Sequence, residues 1–373
     1  MEAATNLAST VVWLGFALGI IFGAVGFRTN FCTMGSVSDI VNMGDWNRMR
    51  MWLLAIAVAI IGANALQLMG LVDLSKSIFQ TPNFTWLNFI VGGLIFGIGM
   101  TLGSGCGSKT LIRIGGGNLK SLLVYVFLGI SAYMTLKGLF GVWRTEYLQP
   151  IAVNLTDHGM KGQDLPSMLA PLTGMDVRTL QIILTAAVAG ALLLFALAKR
   201  EFWTFDHLLG GIVIGLVVVA GWYVTGHIGY IPEDPNTLEP KFYATNTGGA
   251  ESLSYVAPMA YSMELLMLWS DTSLHVTFGI ASALGIILGA FLYAVLSKNF
   301  RWEGFVNAKD TGSHMIGGIL MGFGGITALG CTIGQAISGF STLALGSIIT
   351  FISIVIGSAL TMKYQYWRMM REA

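Results

Sequence analysis

Three cysteines, Cys32, Cys106 and Cys331, each follow a glycine-rich segment of this chain. The segments 92–106 and 317–331 are copies of each other, because their glycines recur at the same offsets and both end in a Gly-Cys pair. A thiol is a weak donor and a weak acceptor of hydrogen bonds, and its sulfur is polarisable. The recurrence of the thiol in this pattern therefore indicates a binding site for a sulfur-containing substrate.

Two other roles for the three thiols stay open. Free cysteine is often buried as a small packing residue, and the chain would then be a membrane subunit without transport activity. A membrane sulfurtransferase would instead need a thiolate that takes up sulfur as a persulfide. The spacings of cysteine and histidine match neither a disulfide framework nor a metal site, and no cofactor is expected.

Polar residues beside the cysteines are candidates for binding an anion. Arg28 precedes the first thiol by four residues, while Lys109 and Arg113 follow the second by three and seven, within one or two helical turns. The same cations could also be cytoplasmic anchors. Around the third thiol the polar residues are uncharged, so backbone N–H groups, hydroxyls and the thiol would hold an anion there. The remaining candidates are Asn30, Gly105, Gly330, Thr332 and Gln335.

The composition is that of an integral membrane protein. Hydrophobic residues make up 54% of the chain and charged residues 10%, against about a quarter charged in a soluble domain. We expect one all-α membrane domain, 1–373, with about nine transmembrane helices in lipid and short re-entrant helices at the breaks. The balanced charge argues against nucleic acid as a partner. The apolar stretches are 11–27, 51–72, 86–103, 121–140, 179–198, 208–225, 274–296, 314–330 and 341–362.

The distribution of lysine and arginine predicts the orientation in the membrane, because positive loops stay in the cytoplasm. With a periplasmic N-terminus and a cytoplasmic C-terminus, the inner segments hold fourteen of the 20 basic residues. The first apolar run has no basic residue before it, so we expect a retained helix and not a cleaved signal. The fourteen are Arg28, Arg48, Arg50, Lys109, Arg113, Lys120, Lys199, Arg200, Lys298, Arg301, Lys309, Lys363, Arg368 and Arg371.

The glycine pattern divides the chain into four related quarters. A weaker copy precedes Cys32, and another runs from Gly210 to Val224, where valine stands in the cysteine position. On the predicted topology the segments ending at the second and third thiols enter from opposite sides. We therefore expect two inverted halves, 1–178 and 179–373, with a binding site near the bilayer midplane. In this site glycine would permit close backbone approach and the turns that reverse a re-entrant segment.

The motifs around the three cysteines resemble those of the YeeE/YedE family of bacterial inner-membrane proteins, which includes thiosulfate transporters. The resemblance rests on the segments 29–35, 105–113 and 330–335 and extends over almost the whole chain. It implies an hourglass of nine transmembrane helices with short re-entrant helices. It also implies that Cys32, Cys106 and Cys331 pass thiosulfate along through S–H to sulfur hydrogen bonds. Some members pair with a TusA-like sulfurtransferase, a partner expected here as a separate cytosolic protein.

Uptake of a dianion needs a source of free energy. Bringing two negative charges into a cell against roughly 100 mV costs about 4 to 5 kcal/mol, so a coupled ion or a cytosolic reaction that consumes the substrate must offset it. Candidates for an acidic coupling residue are Glu264 and Asp271, which we expect in the solvated outer loop 226–273. The other long outer loop is 141–178.

Overall fold

The structure is a computed structural model, and it describes residues 2–234 and 238–372. Pro235, Asn236 and Thr237 of the loop 226–273 lie outside the described residues. The helices are α1 (Glu2–Arg28), α2 (Thr33–Met43), α3 (Asn47–Leu68), α4 (Trp86–Leu102), α5 (Gly107–Gly115), α6 (Leu119–Lys137), α7 (Leu139–Trp143), α8 (Leu165–Thr173), α9 (Val177–Leu197), α10 (Phe205–Tyr223), α11 (Val256–Met267), α12 (Phe278–Leu296), α13 (Ala308–Thr327) and α14 (Leu345–Glu372).

Shorter elements join the helices. Two antiparallel pairs of two-residue strands are β1 (Asn83–Phe84) with β2 (Val153–Asn154), and β3 (Tyr230–Ile231) with β4 (Lys241–Phe242). The π-helical turns are Arg144–Leu148, Val224–Ile228 and Gly334–Gly339. The 3₁₀ turns are Leu74–Lys76, Ile78–Gln80, Leu155–His158 and Arg200–Phe202.

The protein is an all-α membrane protein, as its composition predicts. Within the described residues, eight helical segments are long and apolar enough to cross a membrane, so the chain passes through it several times. The apolar stretch predicted at 314–330 is the one whose helix does not meet that criterion. It coincides with α13, whose first two turns contain Lys309, Asp310 and His314 and lower its mean hydropathy.

Glycines bring α4 and α13 into backbone contact where they cross. A Cβ on Gly92 would lie 2.8 Å from the carbonyl oxygen of Gly324, and one on Gly99 would lie 2.8 Å from that of Gly317. Side chains at these four positions would push the helices apart, so the glycines set how closely the helices approach.

Each of these two helices also packs on one further helix through glycine. Gly93 and Gly97 of α4 contact Thr350 and Ile354 of α14, while Gly318 and Gly322 of α13 contact α6. Similarly, α1 packs on α12 through Gly19 and Gly23, and α10 packs on α3 through Gly211 and Gly215. Each of the four glycine-rich helices α1, α4, α10 and α13 therefore packs closely against a partner helix.

The stretch that contains Glu264 forms a buried helix. α11 packs against α6, α12 and α13, and the Glu264 carboxylate lies 2.7 Å from the Lys137 ammonium at the end of α6. The prediction that Glu264 is solvated was therefore wrong, because helix packing covers it and a cation compensates its charge. Asp271 lies in an exposed turn after α11, as predicted.

Candidate functional site

The chain breaks in the same way before each cysteine. Asn30, Ser104 and Leu329, two residues before the three thiols, have left-handed backbone conformations with φ of 50°, 58° and 60°. In each case the next N–H group donates to the carbonyl five residues earlier, which is the Schellman ending of a helix. These bonds are Phe31 N to Gly26 O, Gly105 N to Met100 O, and Gly330 N to Gly325 O.

Each cysteine then begins a new helical segment. Cys32 precedes α2, Cys106 precedes α5, and Cys331 precedes the helical residues 332–341. The Cys32 and Cys331 sulfurs accept from the backbone N–H groups of Gly35 and Gly334, both at 3.4 Å, where serine or threonine usually caps a helix. The Cys106 sulfur instead lies 3.3 Å from the hydroxyl oxygen of Ser108. Helix N-termini carry partial positive charge and attract anions, so the three thiols share an anion-attracting environment.

The fourth glycine-rich segment lacks both the thiol and the break. α10 continues directly into the π-helical turn Val224–Ile228, and the backbone at Val224 remains right-handed helical. Thr225, the next residue, holds a neighbouring segment: its hydroxyl oxygen accepts from Glu251 N at 3.1 Å and donates to the Glu251 carbonyl. The missing cysteine thus coincides with an unbroken helix.

The first thiol lines a cavity of about 530 Å³ that we call the basic cavity. Four cations, Arg48, Lys109, Arg113 and Arg301, line it together with two carboxylates. Lys109 Nζ donates to Asn30 Oδ1 at 3.2 Å, and Arg113 Nη1 donates to the Ser104 carbonyl at 2.6 Å. The carboxylates are Asp39, which pairs with Arg48 at 3.2 Å, and Glu303. The surplus of positive charge suits an anion.

A second cavity, of about 210 Å³, reaches the break that precedes the third thiol, and we call it the Glu251 cavity. Leu329 and Gly330, which directly precede Cys331, line it together with Arg144 and Glu251. The two cavities lie at opposite ends of α12, since Gly279 in its first turn lines the Glu251 cavity and Asn299 beyond its last turn lines the basic cavity. Twenty residues of helix span about 30 Å, which is the thickness of the hydrocarbon core.

We call the buried region around the three thiols the neck; Cys32 at one end of it lines the basic cavity, and Leu329 and Gly330 beside Cys331 line the Glu251 cavity. Cys106 and Cys331 are fully buried there, and Cys32 is 4% exposed. The Phe22 and Tyr255 rings, both fully buried, lie 5.6 Å apart. Cys106 lies close enough to both other thiols to interact with them electrostatically, so it occupies the middle of the series.

Two threonines in the neck have hydroxyls that can serve a ligand. Thr33 and Thr332 each follow a cysteine, and both hydroxyls are buried without a hydrogen-bond partner among the described residues. Gln335 differs, because its side chain is already bonded at both ends: its amide nitrogen donates to the Ala328 carbonyl, and its oxygen accepts from the Ser347 hydroxyl at 2.5 Å. Gln335 therefore holds the break at Gly330 together.

The cations are arranged differently from their order in the sequence. Lys109 follows Cys106, yet its hydrogen bond is to Asn30, beside Cys32, and its charge acts on Cys32 together with that of Arg113. Arg28 lies at the protein surface, where it pairs with Asp206 at 2.9 Å and lines a shallow neighbouring cavity of about 290 Å³. The largest influences on the Cys331 thiol are its burial, backbone N–H groups and Cys106, and none of these is a cation.

Sequence reasoning missed several residues that line the cavities. Arg48 and Arg301 were counted as inner-side cations but not as site residues, because both lie far from any cysteine in sequence. Arg144 and Glu251 were missed because no glycine or cysteine pattern marks their segments. The sequence offers one signal for these two residues: each is a charged residue in an outer loop with many aromatic and small residues.

Comparison with known proteins supports the resemblance noted from the cysteine motifs. The model of the Sulphur transport family matches residues 28–360. The thiosulfate transporter TsuA of Spirochaeta thermophila is 26% identical over 357 residues, which cover 93% of this chain and 97% of that protein. The thiosulfate transporter TsuA of Escherichia coli is 26% identical over 339 residues, which cover 88% of this chain and 87% of that protein. The chain belongs to the Sulphur transport family.

Proposed function

We propose that the protein is a transporter, and not an enzyme, that takes up thiosulfate or a closely related sulfur-containing anion across the bacterial inner membrane. The observation that carries this proposal is the series of three thiols, each at a helix break, between the basic cavity and the Glu251 cavity. The names of the two relatives support thiosulfate as the anion.

The thiols would act as a relay. A thiol makes a weak hydrogen bond to a sulfur atom, and a path of weak sites lets an ion enter without being trapped. The helix N-terminus at each cysteine offsets part of the negative charge. The buried hydroxyls of Thr33 and Thr332 add donors to the oxygen atoms of the substrate at the first and third sites. Strong cations are then needed only beyond the neck, in the basic cavity, where the ion is released.

The basic cavity also bears on the energetics of uptake. Bringing a dianion into the cell against roughly 100 mV costs about 4 to 5 kcal/mol. Lys109 and Arg113 attract the dianion within the cavity, but this attraction at equilibrium drives no net uptake. A cytosolic reaction that consumes the substrate would supply the drive, and a TusA-like sulfurtransferase is the partner we propose for it. Lipid surrounds the bundle.

We further propose that the halves 1–178 and 179–373 are inverted repeats. The paired contacts of Gly92 with Gly324 and of Gly99 with Gly317 support this, since they relate the crossing helices by an approximate two-fold axis. The cations of the basic cavity belong to segments predicted to be cytoplasmic, which supports a periplasmic N-terminus and a cytoplasmic C-terminus.

Labelling with a membrane-impermeant maleimide tests this orientation. In a cysteine-free parent, Glu239→Cys should react in intact cells, and Arg371→Cys should react only after lysis. Both positions are exposed, so reactivity reports the side of the membrane and not burial. The opposite pattern would reverse the orientation. Equal labelling in intact cells would require an even number of membrane crossings between the two labelled positions, and this would contradict the inverted repeat.

Growth of a sulfur auxotroph tests the function. A strain without its own uptake systems should grow on thiosulfate when it produces this protein, and should gain no growth on sulfate or sulfite. Growth on sulfate alone would contradict the proposal. The matched control is the Cys331→Ala protein at equal membrane abundance.

The sulfurtransferase alternative makes a different prediction. We expect intact protein exposed to thiosulfate to show no added mass on any cysteine, because Cys331 is fully buried and no cation is among the largest influences on its thiol, so nothing favours the thiolate. Mass spectrometry of the intact protein measures this. A stoichiometric gain of one sulfur atom, removed by a thiol acceptor, would favour the sulfurtransferase.

A further inference from the structure

The Glu251 cavity contains an acid where a transporter of anions should have none. Of the described residues that line it, Arg144 and Glu251 carry charge. The basic cavity at the other end of the neck has four cations against two carboxylates. An anion that approaches Cys331 through this cavity therefore passes an acidic side chain, and this asymmetry needs a physical explanation.

Glu251 is held firmly in this position. The hydroxyl of Thr225, in the glycine-rich segment that lacks a cysteine, bonds both the backbone N–H and the carbonyl of Glu251. The Thr247 hydroxyl donates to Glu251 Oε2 at 3.1 Å. The segment is further fixed by a bond from Ala250 N to the Lys76 carbonyl at 3.2 Å. The backbone at Glu251 is thus fixed by Thr225 and Lys76, and the bond from Thr247 holds the carboxyl group in the cavity.

The cation of the cavity suits an anion. Arg144 Nε is buried and has no hydrogen-bond partner among the described residues, so it can donate to an oxyanion. The cavity is small enough that a bound dianion would lie within one Debye length of Glu251, about 8 Å at physiological salt. An ionised Glu251 would therefore repel the dianion and compete for Arg144, whereas a protonated Glu251 would leave the cavity with a net positive charge.

We propose that Glu251 is an acid-operated gate at the entrance to the thiol series, which admits a sulfur oxyanion to Cys331 when its carboxyl group holds a proton. This inference rests on the proposed function, and it adds a residue that controls entry. It requires no transfer of the proton to the substrate or across the membrane.

The environment of Glu251 supports titration near neutral pH. Burial raises the pKa of its carboxyl group to about 7, although hydrogen bonds from Thr247 and the backbone of Asn246 act in the opposite direction. The titratable groups that face it are Arg144 and the Tyr261 phenol of α11, with the Lys137 and Glu264 pair beyond Tyr261. Because the neutral form opens the gate, uptake should rise as the pH falls through about 7.

Proteoliposomes loaded at a fixed internal pH test the gate with labelled thiosulfate, which stays a dianion over the range used. Uptake by the unmodified protein should be roughly tenfold faster at about pH 6 than at about pH 8, as the protonated fraction of a group titrating near 7 requires. Glu251→Gln should be fast at both pH values. Glu233→Gln, which alters an exposed carboxylate of the same loop, should keep the pH dependence of the unmodified protein.

A second variant separates the gate from a structural role. Thr247→Val removes a hydrogen bond that favours the ionised carboxylate, so the midpoint of uptake should move to higher pH. An unmoved midpoint, or equal pH dependence in Glu251→Gln and the unmodified protein, would overturn the gate. Loss of uptake at every pH in Glu251→Gln, at normal abundance, would also overturn it. If the unmodified protein takes up no thiosulfate at any pH, the proposed function fails and the gate fails with it.

Infrared spectroscopy of the reconstituted protein tests the titration of Glu251 without a transport assay. It therefore separates a failure of the gate from a failure of the proposed function. The carbonyl stretch of a protonated carboxyl group should disappear with a midpoint near pH 7 in the unmodified protein, and the corresponding change should be absent in Glu251→Gln. An identical change in both proteins would show that another group titrates, and would overturn the gate whatever the substrate.

Discussion

Replacing Cys106 or Cys331 by alanine should reduce thiosulfate uptake by more than about tenfold, which corresponds to about 1.4 kcal/mol of lost stabilisation along the path. The reason is that both thiols are fully buried and that Cys106 lies between the other two, so the loss of either thiol removes a step of the relay. Cys32→Ala should be milder, because Lys109 and Arg113 still attract the anion there. Uptake at equal membrane abundance is the measurement.

The fourth glycine-rich segment supplies the matched control. Val224 stands in the aligned position but lies in an unbroken helical turn, so Val224→Cys should add a thiol without changing uptake. Cys106→Ser should restore little, since a hydroxyl is more strongly hydrated than a thiol and makes a different contact with sulfur. Near-normal uptake by both alanine variants would rule out the relay, and full activity with serine would mean that any small polar group suffices.

Replacing Gly317 by alanine should destabilise the protein by about 3 kcal/mol, at the upper end of the usual cost of overpacking. The added Cβ would lie 2.4 Å from the backbone nitrogen of Gly103 and 2.8 Å from the Gly99 carbonyl. Backbone atoms cannot turn aside as side chains do, so α4 and α13 would have to separate. The melting temperature in detergent and the abundance in membranes should both fall.

The same helix contains the control for this substitution. Gly312 of α13 has no heavy atom within 4 Å of an added Cβ, so Gly312→Ala should be neutral or stabilising by up to about 1 kcal/mol through helix propensity. Equal melting temperatures for Gly312→Ala and Gly317→Ala would mean that the glycine contacts do not set the distance between α4 and α13.

Much of this architecture could be predicted from the sequence because lipid imposes a simple pattern. The apolar stretches at 51–72, 121–140 and 179–198 coincide with α3, α6 and α9, since a spanning helix must be apolar over most of its length. The breaks at the cysteines could also be predicted, because a repeated Gly-Cys pair has no role in a regular spanning helix.

The details of the breaks could not be predicted from residue type. Glycine was expected to make the turns, but the left-handed residues are Asn30, Ser104 and Leu329, and the paired glycines mainly allow backbones to touch. Nor could the sequence reveal that Lys109 serves the neighbourhood of Cys32, because that contact joins residues 79 positions apart. The position of Glu251 was equally hidden, since its backbone is held by Thr225, 26 residues earlier in the chain.

The glycine crossing of α4 and α13 also restricts how the protein can move while it works. Rocking one half against the other would separate backbones that meet at Gly92 and Gly324, and again at Gly99 and Gly317, in every turnover. If the frame stays rigid, passage through the neck would depend on movements of side chains such as the Phe22 and Tyr255 rings, which lie side by side there. A rigid frame with mobile rings would give the kinetics of a narrow channel, in which the flux depends on how often each binding site along the path is occupied.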